Sequence, residues 1–271
     1  MYHNAGLIGH PLSHSISPLI HNYFYHKSRI NGGYCCFDVD KSEIAQIIHI
    51  MKKFYFKGFN VTLPYKTDII DFLDEVEFQA SKINAVNTVK IIDGKLFGYN
   101  TDLFGIEKTF EDFNIEIFKK KILILGSGGA AKPLFYFLKD KNAYVDIVNR
   151  TVKNTETVLE QLEIYNFNNF DLLFLKKNNY YDIIVNTTSV GIDKKEFFDM
   201  SHIDCGEFAF DFQYSIDGCT PFLDIYKNSV PKYTDGLLML IYQGLKAFGL
   251  FNDVKLEIDI NELKKFILKK G

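Results

Sequence analysis

The sequence has little cysteine and little excess charge. Its four cysteines, Cys35, Cys36, Cys205 and Cys219, include one adjacent pair and no CxxC pair. We therefore expect neither a disulfide framework nor a thiolate metal site, and we predict a reducing, cytoplasmic environment. The formal net charge is only −3. A charge this close to zero gives no electrostatic reason to expect nucleic acid as a partner.

The sequence also lacks long apolar runs. Stretches such as 122–125 and 237–241 are far too short to span a bilayer. Residues 1–12 lack the basic region and apolar run of a signal peptide, so no membrane association is expected. His10 and His14 have the i, i+4 spacing of helical metal ligands, but Pro11 opposes a helix there. No metal site is predicted.

What the chain does have is enough apolar content for two small domains, with 47% hydrophobic residues in a length of 271. The first hundred residues alternate β-rich and helix-like stretches, with a hairpin predicted across Asp93-Gly94. From residue 120 onward, short buried strands alternate with helices. The predicted fold class is α/β, with an N-terminal α/β domain containing a mixed sheet and a Rossmann-like doubly wound domain.

Several local features carry expectations of their own. Residues 75–82 are predicted to be helical and residues 172–175 to form a strand. Ser17 precedes a helix-like stretch with Pro18 at its start, so it could be an N-cap. Asp102 could likewise cap the helix predicted over 103–113, where we place the join between the domains.

The strongest local signal is a glycine-rich turn between a buried strand and a helix. Gly126 permits the tight turn, and Gly128 lets the backbone approach a pyrophosphate. The helix that follows offers N–H donors and the positive end of its dipole to phosphates. The alternative is a tight turn without a ligand. We predict a dinucleotide site whose turn comprises Gly126, Ser127, Gly128, Gly129 and Ala130.

The end of the next strand indicates which dinucleotide binds. An acid there would hold ribose hydroxyls and favour NAD, but Val148 is followed by Asn149-Arg150-Thr151. A guanidinium can pair with a 2′-phosphate, and the Thr151 hydroxyl and nearby Lys153 would add to the site. These residues predict NADP, the alternative being a helix start with an exposed arginine. Asp146 lies inside the strand and is discounted.

The first hundred residues hold the other polar candidates. Ser15 and Ser17 precede a helix and could both face one small anion. Lys66 follows a predicted strand and could be a general acid/base, although most lysines are solvated surface charges. Asn87 and Asp102 lie at the limits of strand-like pieces.

Taken together, these segments resemble the shikimate dehydrogenase family over residues 6–248. The resemblance is carried by motifs in the same order, namely Gly9 to Pro18 with His21-Asn22, Asn60 to Lys66, Ala85 to Thr88, Gly98 to Asp102, Gly126 to Ala130, Asn149 to Thr151, Asp211 to Tyr214 with Thr220-Pro221, and Gly236 to Leu240 with Gln243. It implies a substrate-binding catalytic domain over 1–102, completed by helices in 237–271, and an NADP-binding domain over 103–236.

The resemblance also implies roles for individual residues. Ser15, Ser17 and Tyr214 would bind a substrate carboxylate, and Thr62, Asn87, Asp102 and Gln243 would hold ring hydroxyls. Lys66 would donate and accept the proton, with Asp102 beside it. Gly236 and Met239 would lie near the nicotinamide. The implied partner is a small molecule, 3-dehydroshikimate or shikimate, and the chain would be a monomer or a homodimer.

Two departures from the family pattern stand out, since His10 replaces a frequent Asn, and Asn154 replaces a further basic residue found in many members. Two alternative functions remain open. One is a quinate/shikimate dehydrogenase that uses NAD, which the Ser15/Ser17 pair and the missing acid after Val148 disfavour. The other is a ligand-sensing relative without activity, which the presence of both Lys66 and Asp102 disfavours.

Overall fold

A computed structural model of the chain describes residues 2–192, 196–215 and 219–270. The chain divides into two compact units. Unit 1 comprises Met1–Gly105 and Leu240–Gly271, and unit 2 comprises Ile106–Met239. Within the described ranges, no helix combines the length and the apolar character that a membrane span requires.

Strands and helices alternate along most of the chain. The strands are β1 (His3–Gly9), β2 (Gly32–Asp38), β3 (Gly58–Val61), β4 (Glu75–Val76), β5 (Thr88–Ile92), β6 (Lys95–Tyr99), β7 (Lys121–Leu125), β8 (Tyr144–Val148), β9 (Asn168–Phe170), β10 (Asn179–Asn186), β11 (Ile203–Asp211) and β12 (Lys232–Thr234). The α-helices are α1 (Ser17–Ser28), α2 (Ile44–Lys53), α3 (Phe78–Ile83), α4 (Thr101–Asp112), α5 (Ala131–Leu138), α6 (Val152–Gln161), α7 (Pro221–Tyr226), α8 (Leu237–Asn252) and α9 (Ile260–Lys270). Short 3₁₀ turns lie at Lys41–Glu43, Asp68–Phe72 and Leu172–Lys176.

Unit 1 contains a mixed six-stranded sheet in the order β2-β1-β3-β5-β6-β4. β1 pairs in parallel with β2 and β3, whereas β5 is antiparallel to β3 and β6. The hairpin between β5 and β6 turns where predicted, because Asp93 and Gly94 both adopt positive φ, at 50° and 78°. Two positive φ values in a two-residue loop match the twist of the flanking strands. α2 packs its apolar face, including Ile44 and Met51, into the core of this unit.

Unit 2 contains a fully parallel six-stranded sheet in the order β9-β8-β7-β10-β11-β12. In chain order this is 3-2-1-4-5-6, the strand order of the Rossmann fold. Apolar residues of β7 alternate between two cores, with Ile122 and Ile124 in one and Leu123 and Leu125 in the other. A sheet covered on both faces explains why β7 is a continuous apolar run. The predicted fold class is confirmed.

Two local predictions are wrong. Residues 172–175 form a 3₁₀ turn, because the Asp171 carboxylate accepts a hydrogen bond from the Leu173 N–H and stops the extended chain. The strand near this place is β9, which begins four residues earlier, at Asn168. Residues 75–82 are not one helix, since Glu75 and Val76 pair with Phe97 and Gly98 of β6 before α3 begins. Short apolar runs do not distinguish a strand from a helical turn by periodicity.

Candidate active site and nucleotide-binding turn

Lys66 lies in the tight turn that follows β3, and the turn is anchored on both sides. The Val86 N–H donates to the Lys66 carbonyl oxygen at 2.8 Å. The neighbouring Tyr65 is buried, and its hydroxyl donates to the Val39 carbonyl at 2.8 Å. The Lys66 Nζ contacts Asp102 Oδ2 at 2.7 Å, with side chains that are only 15% and 10% exposed. The two residues proposed as the catalytic pair therefore form a largely buried ion pair.

Asp102 lies in the first turn of α4 but is not its cap. The Leu103 N–H donates to the Asn100 side chain at 3.2 Å, and the helix already includes Thr101. The capping interpretation of Asp102 is therefore wrong. Because Asn100 satisfies the helix end, both carboxylate oxygens of Asp102 are available to side chains, and Oδ1 accepts from Asn87 Nδ2 at 2.8 Å.

Asn87 is the centre of a buried hydrogen-bond network. Its Nδ2 also lies 3.0 Å from Thr101 Oγ1 and 3.3 Å from Gln243 Oε1. Its Oδ1 accepts from the Thr101 N–H at 2.7 Å and from Thr88 Oγ1 at 3.0 Å. Gln243, on α8, donates from Nε2 to the Leu240 carbonyl at 3.0 Å, which turns its Oε1 toward the network. The structure thus brings Lys66, Asp102, Asn87 and Gln243 together within unit 1.

The network compensates for the free-energy cost of burying the Lys66–Asp102 ion pair. A buried ion pair loses hydration, and it stabilises a fold only when further hydrogen bonds satisfy its remaining polar atoms. Here Asp102 Oδ2 has Lys66 and Oδ1 has Asn87. The arrangement fixes a proton-carrying ammonium group beside a carboxylate whose position does not depend on solvent, which is the geometry that general acid/base chemistry needs.

The Ser15/Ser17 segment leads into α1. Ser17 is the first residue of the helix, and Ile16 occupies the N-cap position without a capping hydrogen bond from its side chain. The capping interpretation of Ser17 is therefore wrong. Ser15 Oγ instead accepts from the Ser17 N–H at 3.3 Å. Thr62 lies just beyond β3, where its N–H donates to the Ile8 carbonyl at 2.9 Å and its methyl group adjoins Gly9.

An exposed ion pair holds the segment that precedes Ser15. His10 Nδ1 contacts Asp38 Oδ1 at 2.6 Å, and Asp38 Oδ2 accepts from the Leu12 N–H at 2.8 Å. The hydrogen bond to Asp38 raises the pKa of His10. The Leu12 N–H and His10 lower the pKa of Asp38. Asp38 thus fastens both His10 and the backbone at Leu12 to the end of β2.

In unit 2, the glycine turn connects β7 to α5. Gly126 has φ +98°, and a Cβ there would lie 2.8 Å from Thr188 Cγ2, so only glycine suits this position. A Cβ at Gly128 or Gly129 would meet nothing within 4 Å. The turn therefore leaves open space beside its own backbone, as close approach of a pyrophosphate requires.

The residues after β8 form a second group beside the glycine turn. Ser127 Oγ accepts from Asn149 Nδ2 at 2.7 Å and from Thr155 Oγ1 at 2.8 Å. These bonds fasten the end of β8 and the start of α6 to the turn. Arg150, Thr151 and Lys153 are exposed to solvent. Ser127 and Asn149 thus shape the turn, whereas the charged side chains remain accessible to an anion.

The remaining predicted residues lie after β11, after β12 and on α8. Asn186 Nδ2 donates to Asp211 Oδ1 at 2.9 Å, and burial raises the pKa of Asp211 to about 6. Tyr214 is half-buried after β11. The Gly236 N–H donates to the Gln213 carbonyl at 2.8 Å, and a Cβ at Gly236 would meet the Phe212 carbonyl oxygen at 2.2 Å. Met239 packs in the core of unit 2.

Comparisons with known proteins point to one family. The family model of the shikimate dehydrogenase substrate binding domain matches residues 7–89. A shikimate dehydrogenase (NADP(+)) of Methanococcus maripaludis is 36% identical over 279 residues, which cover 98% of this chain and 97% of the relative. The chain belongs to the shikimate dehydrogenase family. The family predicted from the motifs is confirmed.

Solved structures of shikimate dehydrogenases match the whole chain. The enzyme of Aquifex aeolicus superposes with a TM-score of 0.86 at 32% identity, covering 99% of this chain and 98% of its own. The enzyme of Thermus thermophilus, solved in complex with NADP(H) and shikimate, gives a TM-score of 0.85 at 28% identity, covering 98% and 99%. The likeness to shikimate dehydrogenases thus extends over both units.

The nucleotide site of this shikimate dehydrogenase family member can be tested for its fit to NADP. The open backbone at Gly128 and Gly129 suits a pyrophosphate. Asp146, the acid nearest the end of β8, is already engaged, because Oδ1 accepts from Asn168 Nδ2 at 2.7 Å and Oδ2 from the Tyr181 hydroxyl at 2.6 Å. With that acid occupied and Arg150 exposed, the site fits a 2′-phosphate better than a pair of ribose hydroxyls.

Sequence reasoning missed several polar residues of the unit 1 network. Thr101 and Asn60 stand inside motifs that identify the shikimate dehydrogenase family, so their place beside Asn87 and Asp102 could have raised attention. Thr88 likewise stands in the Ala85 to Thr88 motif, whereas Tyr34 carried no comparable signal. A hydroxyl in a strand is usually interpreted as a neutral strand residue. Pairing of β3 with β5 brings Thr88 near Asn60, and Tyr34 on β2 reaches Asn60 across β1 of the same sheet.

Proposed function

We propose that the chain catalyses the reversible NADPH-dependent reduction of 3-dehydroshikimate to shikimate, a step of aromatic amino acid biosynthesis. The observation that carries the proposal is the buried Lys66–Asp102 pair at 2.7 Å in a member of this family. Hydride delivery to a ketone builds negative charge on the carbonyl oxygen, and that oxygen needs a proton. Lys66 supplies this proton and takes it back in the oxidation direction.

The other residues position the substrate and the lysine. Asp102 holds the ammonium group of Lys66, and Asn87 fixes the carboxylate of Asp102. The ring hydroxyls of the substrate would form hydrogen bonds with Asn87, Gln243 and Thr62. The substrate carboxylate would be bound by Ser15, Ser17 and Tyr214. Alignment of this kind lowers the barrier, because the reacting groups are already oriented before the chemical step.

The nucleotide would be held by the turn from Gly126 to Ala130 and by the residues after β8. NADPH, when bound, supplies the hydride. Arg150 would pair with its 2′-phosphate through charge-assisted hydrogen bonds, with help from Thr151 and Lys153. Asn149 would keep the turn in shape through Ser127. Gly236 and Met239 would lie near the nicotinamide.

Two other functions are weighed against this proposal. A quinate/shikimate dehydrogenase that uses NAD would need an acid for the ribose, and Asp146 is committed to Tyr181 and Asn168. A sensor without activity would have no need to keep a lysine and an aspartate paired out of solvent. A cytoplasmic location and a monomeric or homodimeric state stay predictions.

The test is an assay of the purified chain with shikimate and NADP⁺, with NAD⁺ and quinate in parallel. We expect reduction of NADP⁺ that depends on shikimate, with slower reduction of NAD⁺ and little activity on quinate. A rate with quinate equal to that with shikimate, together with a rate with NAD⁺ equal to that with NADP⁺, would favour the quinate/shikimate enzyme. Binding of both ligands without turnover would favour the sensor.

A further inference from the structure

Behind the active-site network lies a tyrosine that does not belong to the predicted site. Tyr34, on β2, is 5% exposed, and its hydroxyl donates to Asn60 Oδ1 at 2.7 Å. Asn60, on β3, donates from Nδ2 to the Asn87 carbonyl at 3.1 Å and to Thr88 Oγ1 at 2.9 Å. Thr88 in turn donates to Asn87 Oδ1 at 3.0 Å. Buried hydrogen bonds therefore connect Tyr34 with the residue that holds Asp102.

The donors and acceptors in this series of hydrogen bonds fix the orientations of Tyr34 and Asn60. The Asn87 carbonyl can only accept, so Asn60 must present its amide nitrogen to it and its Oδ1 to Tyr34. The phenol of Tyr34 must then be the donor. Thr88 Oγ1 accepts from Asn60, and its hydroxyl lies 3.0 Å from both Asn87 Oδ1 and Thr101 Oγ1. The Thr101 N–H also donates to Asn87 Oδ1, so Asn87 presents Nδ2 to Asp102. Asn60, oriented by Tyr34, binds the backbone carbonyl of the same Asn87.

Tyr34 is itself held from two directions. Its backbone N–H donates to Asn22 Oδ1 at 2.9 Å, and its carbonyl accepts from Asn22 Nδ2 at 2.9 Å. Its ring stacks on the ring of His21, with centroids 4.0 Å apart and planes 10° apart. Burial lowers the pKa of His21 to about 3, and neither ring nitrogen has a hydrogen-bond partner among the described residues. His21 thus supports Tyr34 as a neutral, flat surface.

We infer that Tyr34 is a positioning residue for catalysis, acting through Asn60, Thr88 and Asn87 on Asp102 and Lys66. The inference rests on the proposed function and deepens it, because it assigns the orientation of the catalytic pair to a side chain that touches neither substrate nor cofactor. Loss of the phenol hydrogen leaves Asn60 Oδ1 without a donor in a buried place. The Asn60 amide is then held only by its two Nδ2 bonds, and the arrangement at Asn87 loosens.

The test compares Tyr34→Phe with Tyr25→Phe. Each variant removes one phenol oxygen from a buried ring of unit 1, and Tyr25, which packs edge-on against Phe248, is outside the chain of hydrogen bonds. Tyr34→Phe keeps the ring that stacks on His21, so we expect both variants to fold, with the lower melting temperature in Tyr34→Phe because Asn60 Oδ1 loses its donor. For shikimate oxidation well below melting, we expect kcat to fall about 3- to 10-fold in Tyr34→Phe only. The KM for NADP⁺ should stay unchanged.

A double-mutant cycle separates positioning from general loosening of the fold. If Tyr34 acts through Asn60, adding Tyr34→Phe to Asn60→Leu should lower kcat no further. The inference would be overturned if the effects of Tyr34→Phe and Asn60→Leu on kcat were fully additive. It would also be overturned if Tyr34→Phe and Tyr25→Phe had the same kcat. The wild-type assay keeps the two proposals apart, because an inactive wild type would overturn the proposed function, whereas an active one gives the variants their meaning.

Discussion

The two candidate sites of the molecule are built in opposite ways. In unit 1, the side chains around Asp102 bind one another, and Asn87 and Thr101 are 3% and 1% exposed. In unit 2, Gly128 and Gly129 leave open space, and Arg150 points a charge into solvent. The difference indicates two kinds of recognition. A small substrate needs a few groups in fixed directions, whereas a dinucleotide phosphate can be bound by backbone donors and a mobile cation.

The two sites differ in the energetic cost of their polar groups. The unit 1 network must satisfy every buried polar group, because one unpaired group costs about 1–3 kcal/mol. The unit 2 turn avoids that cost by staying solvated until a ligand binds. We therefore expect substitutions in unit 1 to act as a connected set, and substitutions after β8 to act singly.

The largest effect is expected at Lys66. Lys66→Ala should lower kcat by roughly 10²–10⁴, the usual contribution of a general acid/base, with a smaller change in KM. Asp102→Asn should also be severe, since it removes the charge beside Lys66. If the pair acts as one unit, the double variant should be little worse than either single variant. Steady-state kinetics of shikimate oxidation measure all three.

Lys41→Ala is the matched control for this prediction. Lys41 contacts Asp68 at 2.5 Å in the same unit, but its side chain is 70% exposed. Its removal should leave kcat nearly unchanged. A large rise in KM with kcat intact in Lys66→Ala would reduce Lys66 to a substrate-binding residue and would remove the contrast between buried and exposed pairs.

A smaller, selective effect is expected in unit 2. Arg150→Ala should weaken NADPH binding about 10- to 100-fold, because a charge-assisted phosphate contact contributes roughly 1.5–3 kcal/mol. NADH binding should change far less, since NADH has no 2′-phosphate. Titration of each nucleotide by fluorescence measures both constants. Arg29→Ala, which removes an exposed arginine of unit 1, is the control. Equal losses for both nucleotides would mean that Arg150 stacks on adenine or packs locally.

The sequence predicts these two sites unequally, for a physical reason. The glycine turn is local, so the strand, the turn and the helix after it can be read from residues 121–138 alone. The pairing of Lys66 with Asp102 came from resemblance to a family. The support from Tyr34 depends on β2, β3 and β5 lying in one sheet, which no local pattern specifies. For Asp102, local sequence reasoning predicted a helix cap, whereas in the structure Asn100 caps α4.

The smallest effect is expected at the exposed pair of His10 and Asp38, which tests the contrast inside unit 1 itself. The pKa of His10 is raised above its ordinary value of 6.5. Its contribution to the stability of the fold is therefore complete below pH 6.5 and is lost as the pH rises through the pKa of the folded state. The pKa of Asp38 is lowered, so its contribution to the stability of the fold is lost only as the pH falls through the pKa of the folded state. Between these limits both groups are charged and the pair is complete.

His10→Asn removes the titrating ring and restores the residue frequent in the family. We expect the melting temperature of the wild type to exceed that of the variant by about 1–2 °C at pH 6, and this difference to vanish at alkaline pH. Thermal melts from pH 5 to pH 9 measure it, with kcat for shikimate unchanged in the variant because Lys66 and Asp102 are untouched. A constant difference across this range would mean that His10 acts by packing, and that the exposed pair does not stabilise the segment before Ser15 through charge.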